Sequence, residues 1–174
     1  MDNLYVVIKG APQSAEAKTV QDTIRTALQG VADCIFTVTD EAHFTETYNR
    51  ILREQESGYL TAVSEEDQFP EKYFRSLLNG LKKKNKKNPA ACAYGTGLKI
   101  FPWMGKEFPN KMFPEQGSLN IGLFTDVLWG TVVNLSCTKG SLLNEAFPFE
   151  KEADLLLRLK LDYSVLVDVH QEYR

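Results

Sequence analysis

The stretch Glu56–Pro70, which reads ESGYLTAVSEEDQFP, joins a short apolar segment to a run of acidic residues. Tyr59–Val63 has the length and the β-branched and aromatic content of a buried strand. The acidic segment Ser64–Asp67 follows at its carboxyl end, where open α/β sheets bind ligands. Carboxylates in that position are suited to hold a hard divalent cation. The alternative is a solvated loop before a helix whose first turn favours acidic residues.

Strand and helix patterns alternate on both sides of this segment. The predicted strands are Leu4–Ile8, Cys34–Val38 and Tyr59–Val63, and the predicted helices run from Ser14 to Leu28, along Phe44, Tyr48, Ile51 and Leu52, and from Pro70 through Phe74, Leu77, Leu78 and Leu81. Such alternation predicts an α/β fold with a mostly parallel, doubly wound sheet and right-handed crossovers.

The second half of the chain is more mixed. We predict strands over Ala90–Phe101, Val127–Leu135 and Tyr163–Val169, with a bulge near Gly95 and Gly97, and a helix over Glu150–Leu161. Between them, Pro102–Gly117 is rich in Pro, Gly and aromatic residues and is expected to be a long functional loop. The basic run Lys82–Lys87 suits a solvated helix end, or alternatively a phosphate-binding patch.

Length and composition favour one globular domain over residues 1–174. The chain is 43% hydrophobic and 25% charged, values typical of a globular protein with a real core. A net charge of -3 and a pI near 5.5 give no overall attraction for nucleic acid, so we expect no nucleic-acid partner. There is no phosphate-binding Walker loop and no G-x-G-x-x-G after the first strand, which removes the main support for a kinase or a dehydrogenase.

The cysteines and the hydropathy indicate a cytoplasmic protein. Cys34, Cys92 and Cys137 are odd in number, far apart and mostly flanked by apolar residues, which favours buried reduced thiols. No apolar run reaches the roughly 18 residues of a membrane helix, and the amino terminus lacks the pattern of a signal peptide. Peripheral attachment at the inner face of the membrane stays open as an alternative.

Three segments together resemble a known family of enzymes. They are YNRILREQESGYLTAVSEED at Tyr48–Asp67, FEKEADLLLRL at Phe149–Leu159, and the ending HQEYR at His170–Arg174. Their order is similar to that of the nucleotide-sugar-dependent glycosyltransferases of the GT-A fold, in particular the large inverting group that includes bacterial capsule and cell-wall enzymes. The resemblance covers nearly the whole chain and implies a nucleotide-binding half over residues 1–82 and an acceptor-side half over 90–174.

The resemblance assigns roles to two groups of residues in the nucleotide-binding half. The metal-binding D-x-D motif of the family falls on Ser64 and Glu66, with Asp67 as the adjoining acid, so Glu66 and Asp67 are the implied ligands of Mn²⁺ or Mg²⁺. Ser64 departs from the motif, because a neutral hydroxyl replaces a carboxylate and should weaken cation binding. Asp40 and Glu41 stand where the family has acids that contact the nucleotide.

The resemblance also implies a catalytic base and an acceptor side. Alignment on Arg158 puts the base at Glu152, whereas alignment on residue identity puts it at Asp154. Positions i and i+2 of a regular helix do not face the same point, so only one of them can be the base. Trp103 is a candidate for shaping the acceptor side, because aromatic rings stack on sugars; core filling is the alternative.

Together these assignments imply a transferase. It would move a sugar from a nucleotide-diphosphate sugar to a hydroxyl of a carbohydrate or lipid-linked acceptor, in polysaccharide or glycoconjugate synthesis. A second hypothesis is a non-catalytic GT-A-like scaffold or interaction module that works with other domains of a larger protein, which Ser64 favours. A third, a nucleotidyltransferase, lacks the glycine-rich basic first turn that such enzymes use for triphosphates.

Overall fold

A computed structural model of the protein describes residues 1–84, 88–101, 106–110, 128–147 and 151–173. In chain order the elements are β1 (Asp2–Lys9), α1 (Ala15–Ala27), β2 (Ala32–Thr39), α2 (Phe44–Glu54), β3 (Tyr59–Ser64), α3 (Tyr73–Lys83), β4 (Ala90–Phe101), β5 (Lys106–Asn110), β6 (Val132–Asn134), α4 (Lys151–Asp162) and β7 (Ser164–Tyr173). A 3-10 turn at Leu135–Cys137 follows β6.

The seven strands found in the described part of the chain form one sheet in the order β2-β1-β3-β6-β4-β5, with β7 paired to β4. β1 pairs in parallel with β2 and with β3, and β4 pairs in parallel with β7. β6 is antiparallel to both β3 and β4, and β5 is antiparallel to β4. Strands β1, β2, β3, β4 and β7 therefore run in one direction, so the predicted mostly parallel sheet is confirmed.

Helices cover both faces of this sheet, as the alternating pattern predicts. On β1, Leu4, Val6 and Ile8 pack in one core cluster with α1 and α3. Val7 packs in the other cluster, with α2 and α4. Burial of each large apolar side chain contributes about 1.5–3 kcal/mol to stability. The side chains of β1 therefore hold a helix layer on each face of the sheet, which gives a three-layer fold.

Two helix starts show how local sequence sets the boundaries. The Ser14 hydroxyl accepts a hydrogen bond from the Ala17 N–H at 2.9 Å, which makes Ser14 the predicted cap of α1. α3 begins at Tyr73 and not at Pro70. The Tyr73 N–H donates to the Pro70 carbonyl at 2.9 Å, so Pro70 belongs to the turn before the helix.

The predicted strand over Val127–Leu135 is too long. Within the described residues 128–135, the strand covers only Val132–Asn134. Gly130 has a φ of 71°, a left-handed conformation that turns the chain just before β6. Trp129 still forms an isolated bridge to Ala62 of β3, so the turn stays attached to the sheet.

The predicted strand over Ala90–Phe101 is confirmed, and its register with β7 shifts between Gly95 and Thr96, where a bulge was expected. Lys106–Asn110, predicted as part of a long loop, instead forms β5 and pairs with the second half of β4. Trp103 lies outside the described residues, so its proposed role is not tested.

Cys92 and Cys137 are buried, as predicted, and Cys34 is half-buried; none of the three is in a disulfide. Burial raises the pKa of the Cys34 and Cys137 thiols. Among the described residues, no helix is both long enough and apolar enough to cross a membrane.

Candidate functional site

The carboxyl ends of three neighbouring strands meet at one edge of the sheet. In the register of the strands, Lys9 of β1 is opposite both Thr39 of β2 and Ser64 of β3. The residues that follow these three therefore emerge side by side. We call this region, made of Lys9–Ser14, Asp40–His43 and Ser64–Asp67, the carboxyl edge.

Asp40 lies at the carboxyl edge and stabilises the turn that precedes α2. Its Oδ1 accepts a hydrogen bond from the His43 N–H at 2.9 Å and lies 2.7 Å from Nδ1 of the His43 ring. The hydrogen bond from the His43 backbone, followed by that from its ring, lowers the pKa of the Asp40 carboxyl. Asp40 is thus a turn-stabilising residue in this structure.

Glu41 and Lys9 form an ion pair across β1 and β2. The Lys9 Nζ lies 2.9 Å from Oε2 of Glu41 and 4.8 Å from the centre of the Trp129 ring. Glu41 is highly exposed, and an exposed ion pair contributes little to stability. The Lys9 ammonium, held over an aromatic ring, is a cation at the carboxyl edge and lies next to the Glu41 carboxylate.

Glu65 is bound to the turn between β1 and α1. Its Oε2 accepts hydrogen bonds from the Ala11 N–H at 3.2 Å and from the Ser14 hydroxyl through a short contact. Gly10 makes this approach possible, because a β-carbon there would lie 2.4 Å from the Glu65 carboxyl carbon. We call this set of contacts between Glu65 and residues 10–14 the Glu65 latch.

Glu66 and Asp67, the predicted metal ligands, differ in their surroundings. Asp67 is half-buried, and its Oδ2 accepts a hydrogen bond from the Ser64 N–H at 2.5 Å. Glu66 is exposed, and its N–H lies 3.4 Å from the Ser64 hydroxyl. The two acids are neighbours on one loop, but only the Glu66 side chain is turned out to solvent.

The part of the chain that the structure describes contains no group of three or more His, Cys, Asp or Glu side chains arranged to hold a metal ion. Mg²⁺ sites that use substrate phosphates need only one or two carboxylates from the protein. Glu66 and Asp67 match that number, provided that Asp67 releases the Ser64 N–H. These two carboxylates therefore suit a cation that binds together with a phosphate ligand. They suit a permanently bound metal ion less well.

A second set of polar residues lies between α2 and α4. The Lys151 Nζ donates to the Thr45 hydroxyl at 2.6 Å, which holds the start of α4 beside the start of α2. One turn further along, a cavity of about 690 Å³ opens between the two helices and the segment 140–147. We call this cavity the α2–α4 pocket.

Asn49 forms the floor of the α2–α4 pocket and is 1% exposed. Its Nδ2 donates to the Leu143 carbonyl at 3.0 Å, and its Oδ1 accepts from the Leu143 N–H at 2.8 Å. A buried amide paired in both directions fixes one conformation of the adjoining segment. The sequence pattern placed Asn49 on a helix but did not predict this role.

Asp154, one of the two predicted bases, lies on the wall of the same pocket. Its Oδ2 accepts hydrogen bonds from Nε of Arg158 at 3.1 Å and from Nη2 at 2.8 Å. Arg158 also donates to the Leu142 carbonyl at 2.5 Å, which ties α4 to the segment 140–147. The side chain of Glu152 lies outside the described part of the chain.

The structure therefore divides the predicted site residues between two places. Asp40, Glu41, Glu66 and Asp67 gather at the carboxyl edge, while Asp154 faces the α2–α4 pocket. The sequence did not single out Lys9 or the Glu65 latch. Lys9 was accessible to the reasoning that found the Ser64–Asp67 segment, because Lys9 also ends an apolar strand.

No family model matches the sequence, and no curated protein matches it. Among solved structures, the chain is similar to S. aureus TarS residues 1–349, with a TM-score of 0.59 and 10% sequence identity. The match covers 99% of this chain and 59% of that one, so the chain spans less than two thirds of the length of TarS 1–349. At this identity the likeness bears on the fold alone. Together with the sheet topology, it shows that the chain has a Rossmann-like α/β fold similar to that of TarS 1–349, which agrees with the predicted fold class.

Proposed function

We propose that this domain binds a nucleotide-diphosphate sugar at the carboxyl edge and transfers the sugar to a hydroxyl acceptor. The observation that carries the proposal is the convergence of Lys9, Asp40–Glu41 and Ser64–Asp67 at one edge of a glycosyltransferase-like sheet. Open α/β sheets bind their ligands at this edge. This transfer would be a step in the synthesis of a polysaccharide or glycoconjugate.

The described contacts suggest how the nucleotide would be held. Glu41 is exposed and can accept hydrogen bonds from a ribose or a base, whereas Asp40 contributes mainly by fixing the turn before α2. The Lys9 ammonium lies beside these acids and would offset part of the charge of a diphosphate. The acceptor then belongs on the side of residues 90–174, where Asp154 lies.

The proposed chemistry is a single displacement at the anomeric carbon of the sugar. Asp154 or Glu152 takes the proton of the acceptor hydroxyl while the new oxygen–carbon bond forms. The bond from the anomeric carbon to the diphosphate breaks in the same step, and the nucleoside diphosphate leaves with the electron pair. General-base catalysis of this kind contributes about 10²–10⁴-fold to the rate.

The Mn²⁺ or Mg²⁺ ion that the resemblance implies stays a prediction. Glu66 and Asp67 would hold such an ion, which would neutralise charge on the leaving diphosphate when bound. Because the Asp67 carboxylate is hydrogen-bonded to the Ser64 N–H, the Glu66 carboxylate would be the first to contact the ion.

A thermal-shift titration tests this proposal. UDP, GDP and CDP, each with and without Mn²⁺ or Mg²⁺, should reveal one nucleotide that raises the melting temperature by about 5–10 °C at saturation. Glu66→Ala should remove the gain that the cation provides, and Glu71→Ala, which changes an exposed glutamate outside the carboxyl edge, should keep it. A gain that Glu66→Ala leaves unchanged would reject the metal role of Glu66.

The second candidate is a non-catalytic glycosyltransferase-like module that serves as a scaffold or interaction domain of a larger protein. One observation favours it: hydrogen bonds within the protein occupy Asp40, Glu65 and Asp67. No melting shift with any nucleotide, at millimolar concentration and with cation present, would reject the transferase and favour this module.

A further inference from the structure

The edge of the sheet at β2 carries an inference about self-association. In the described part of the chain, β2 pairs with β1 on one side and with no strand on the other. Its register with β1 runs without a shift from Ala32 to Thr39, so the edge is eight residues long and has no bulge. Such an edge presents unpaired N–H and C=O groups to any extended segment that approaches it.

β2 lacks the features that protect most edge strands, which are lysine, proline, bulges and inward-pointing charges. β5, at the other end of the strand order, contains Lys106 and Pro109 among its five residues. β2 reads ADCIFTVT, with no lysine or proline and with Asp33 as its one charged residue. The sequence of β2 therefore permits strand pairing, whereas that of β5 disfavours it.

The hydrogen bond at the end of β2 shows which of its backbone groups point outward. The Gly10 N–H donates to the Thr39 carbonyl at 2.9 Å, so the backbone groups of Thr39 face β1. Successive residues of a strand direct their N–H and C=O groups to alternate sides. The residues of β2 whose backbone groups point away from β1 are therefore Cys34, Phe36 and Val38.

The side chains along this edge are apolar on both faces of the sheet. Ile35 is 42% exposed and lies on the face of α2, like its register partner Tyr5. Cys34, Phe36 and Val38 are half-buried on the face of α1 and α3. A second strand laid along β2 would remove apolar surface from water on both faces, which favours pairing.

β2 is complementary to a second copy of itself. Two copies related by a two-fold axis pair their β2 strands antiparallel, and opposed residues lie on the same face. In one register Phe36 faces Phe36 of the second copy, Cys34 faces Val38, and Ile35 faces Thr37. Each opposed pair of outward residues exchanges two N–H···O bonds, so every outward backbone group from Cys34 to Val38 has a partner.

The charges near the edge are compatible with this register. Asp33, the one charge of β2, faces Thr39 of the second copy and not another acid. The Arg25 guanidinium lies 5.1 Å from the centre of the Phe36 ring, and its Nη1 lies 2.9 Å from Oδ1 of Asp22. Each copy therefore brings a neutralised ion pair to the two-fold axis, and no net charge opposes the contact.

The size of the contact suits a reversible dimer. Eight strand residues extend over about 26 Å, and α1 packed beside β2 gives a strip about 20 Å deep, on the order of 500 Å² per copy. The total of about 1,000 Å² is close to the lower limit for a specific interface.

We infer that the protein forms a two-fold symmetric dimer in which β2 pairs antiparallel with β2 of a second copy and one sheet continues through both molecules. The inference does not depend on the proposed function. Because the strands are antiparallel, the carboxyl edges of the two copies point in opposite directions.

Sedimentation velocity on the whole chain, from low micromolar to submillimolar concentration, tests the inference. The mass should rise from 19.7 kDa towards twice that value. Ile35→Lys should weaken the dimer about tenfold or more, because it puts a charge from each copy into the apolar edge. Phe147→Lys changes a side chain of similar exposure, 45%, outside β2 and should leave the dimer unchanged.

Two results of this experiment would overturn the inference. A monomer at every concentration would reject the second copy as the partner and leave the edge to an extended segment of another protein. Equal effects of Ile35→Lys and Phe147→Lys would place the contact away from β2.

Cross-linking tests the register. Val38→Cys puts a new thiol opposite Cys34 of the second copy, with the Cα atoms about 5.5 Å apart, a separation that a disulfide spans. Copper phenanthroline with dissolved oxygen as the oxidant should then give a covalent dimer on a non-reducing gel. The unsubstituted protein should give none, because the two Cys34 residues lie about 14 Å apart. A dimer that Val38→Cys does not cross-link would overturn the inference.

Amide hydrogen exchange gives a readout that needs no variant. The N–H groups of Cys34, Phe36 and Val38 should exchange more slowly in a dimeric sample than in a dilute, monomeric one. Those of Ile35 and Thr37, which are bonded to β1, should be protected in both. The same exchange rates at Cys34, Phe36 and Val38 in the two samples would overturn the inference.

Discussion

The Glu65 latch should be measurable as a coupling between Gly10 and Glu65. Glu65→Ala removes hydrogen bonds to the Ala11 N–H and the Ser14 hydroxyl. Gly10→Ala acts on the same bonds from the other side, because its new β-carbon would lie 2.4 Å from the Glu65 carboxyl carbon and from Oε2. Gly10 is not among the residues with positive φ, so alanine adds no backbone strain there.

The expected magnitudes follow from these contacts. Hydrogen bonds to a charged group contribute about 1.5–3 kcal/mol when buried, and Glu65 is half-buried, so Glu65→Ala should cost about 1–3 kcal/mol in free energy of unfolding. Gly10→Ala should cost a similar amount, because the Glu65 side chain must move away and lose the same bonds. The double variant should cost little more than Glu65→Ala alone, so the interaction energy should be close in magnitude to the cost of Gly10→Ala, about 1–3 kcal/mol.

Urea denaturation of the four proteins in this cycle measures the coupling, with the linear-extrapolation free energy as the readout. Glu66→Ala serves as the matched control, since Glu66 is the exposed neighbour of Glu65 and should change stability by less than about 0.5 kcal/mol. If the costs of Gly10→Ala and Glu65→Ala simply add, within about 0.5 kcal/mol, the latch does not stabilise the protein as argued.

Three further predictions concern buried polar groups. Asn49→Ala should lower the free energy of unfolding by about 2–4 kcal/mol, because both backbone groups of Leu143 lose their partner, whereas Asn144→Ala on the exposed segment should cost under about 1 kcal/mol. Tyr73→Phe should cost about 2–4 kcal/mol in the same urea assay, since its buried hydroxyl bonds one backbone carbonyl and one backbone N–H, each at 3.1 Å; a loss below about 1 kcal/mol would contradict this. Burial raises the pKa of Tyr94 from 10.0 to about 12, so its contribution to stability should be complete below pH 10 and fall by about 1–2 kcal/mol as the pH rises to 12. Denaturation across that range should show a shallower alkaline decline in Tyr94→Phe, and identical slopes in the two proteins would refute the assignment.

The fold could be predicted from the sequence wherever periodicity alone determines structure. Leu4–Ile8 and Tyr59–Val63 are apolar at every position or nearly so, and both are central strands covered on two faces. The first part of the Val127–Leu135 pattern is not a strand in the described residues 128–131, because apolar content does not report backbone conformation. Gly130 turns the chain within that apolar run, and nothing in the hydrophobic pattern marks such a turn.

The candidate site was predicted in position more than in detail. The resemblance identified Asp40 and the strand-end rule identified the Ser64–Asp67 segment, and the strand register puts both at the carboxyl edge. The sequence did not distinguish Glu65, which is hydrogen-bonded to the β1–α1 turn, from Glu66, which faces solvent. Two neighbouring side chains in a loop can have different partners, because the partners come from distant parts of the chain. The residues around them in the sequence do not show which partner each one has.

The Glu65 latch also limits where a nucleotide can lie. Its carboxylate occupies the space beside the amino terminus of α1, which is the place in an α/β fold where backbone N–H groups would otherwise attract a phosphate. A diphosphate must therefore either displace Glu65 or lie away from it, over the end of β2 beside Lys9 and Glu41. If it displaces Glu65, Glu65→Ala removes a competing anion and should tighten nucleotide binding.

If the diphosphate lies over the end of β2 instead, the Glu65 carboxylate is not in its way. Glu65→Ala should then leave nucleotide affinity unchanged while still lowering stability. Lys9→Ala should weaken binding by either route, because Lys9 ends the central strand β1, next to both positions, and its ammonium would offset charge in both. Isothermal titration of the two variants with the nucleotide chosen in the thermal-shift panel decides between the routes, and an unchanged affinity in Lys9→Ala would exclude both.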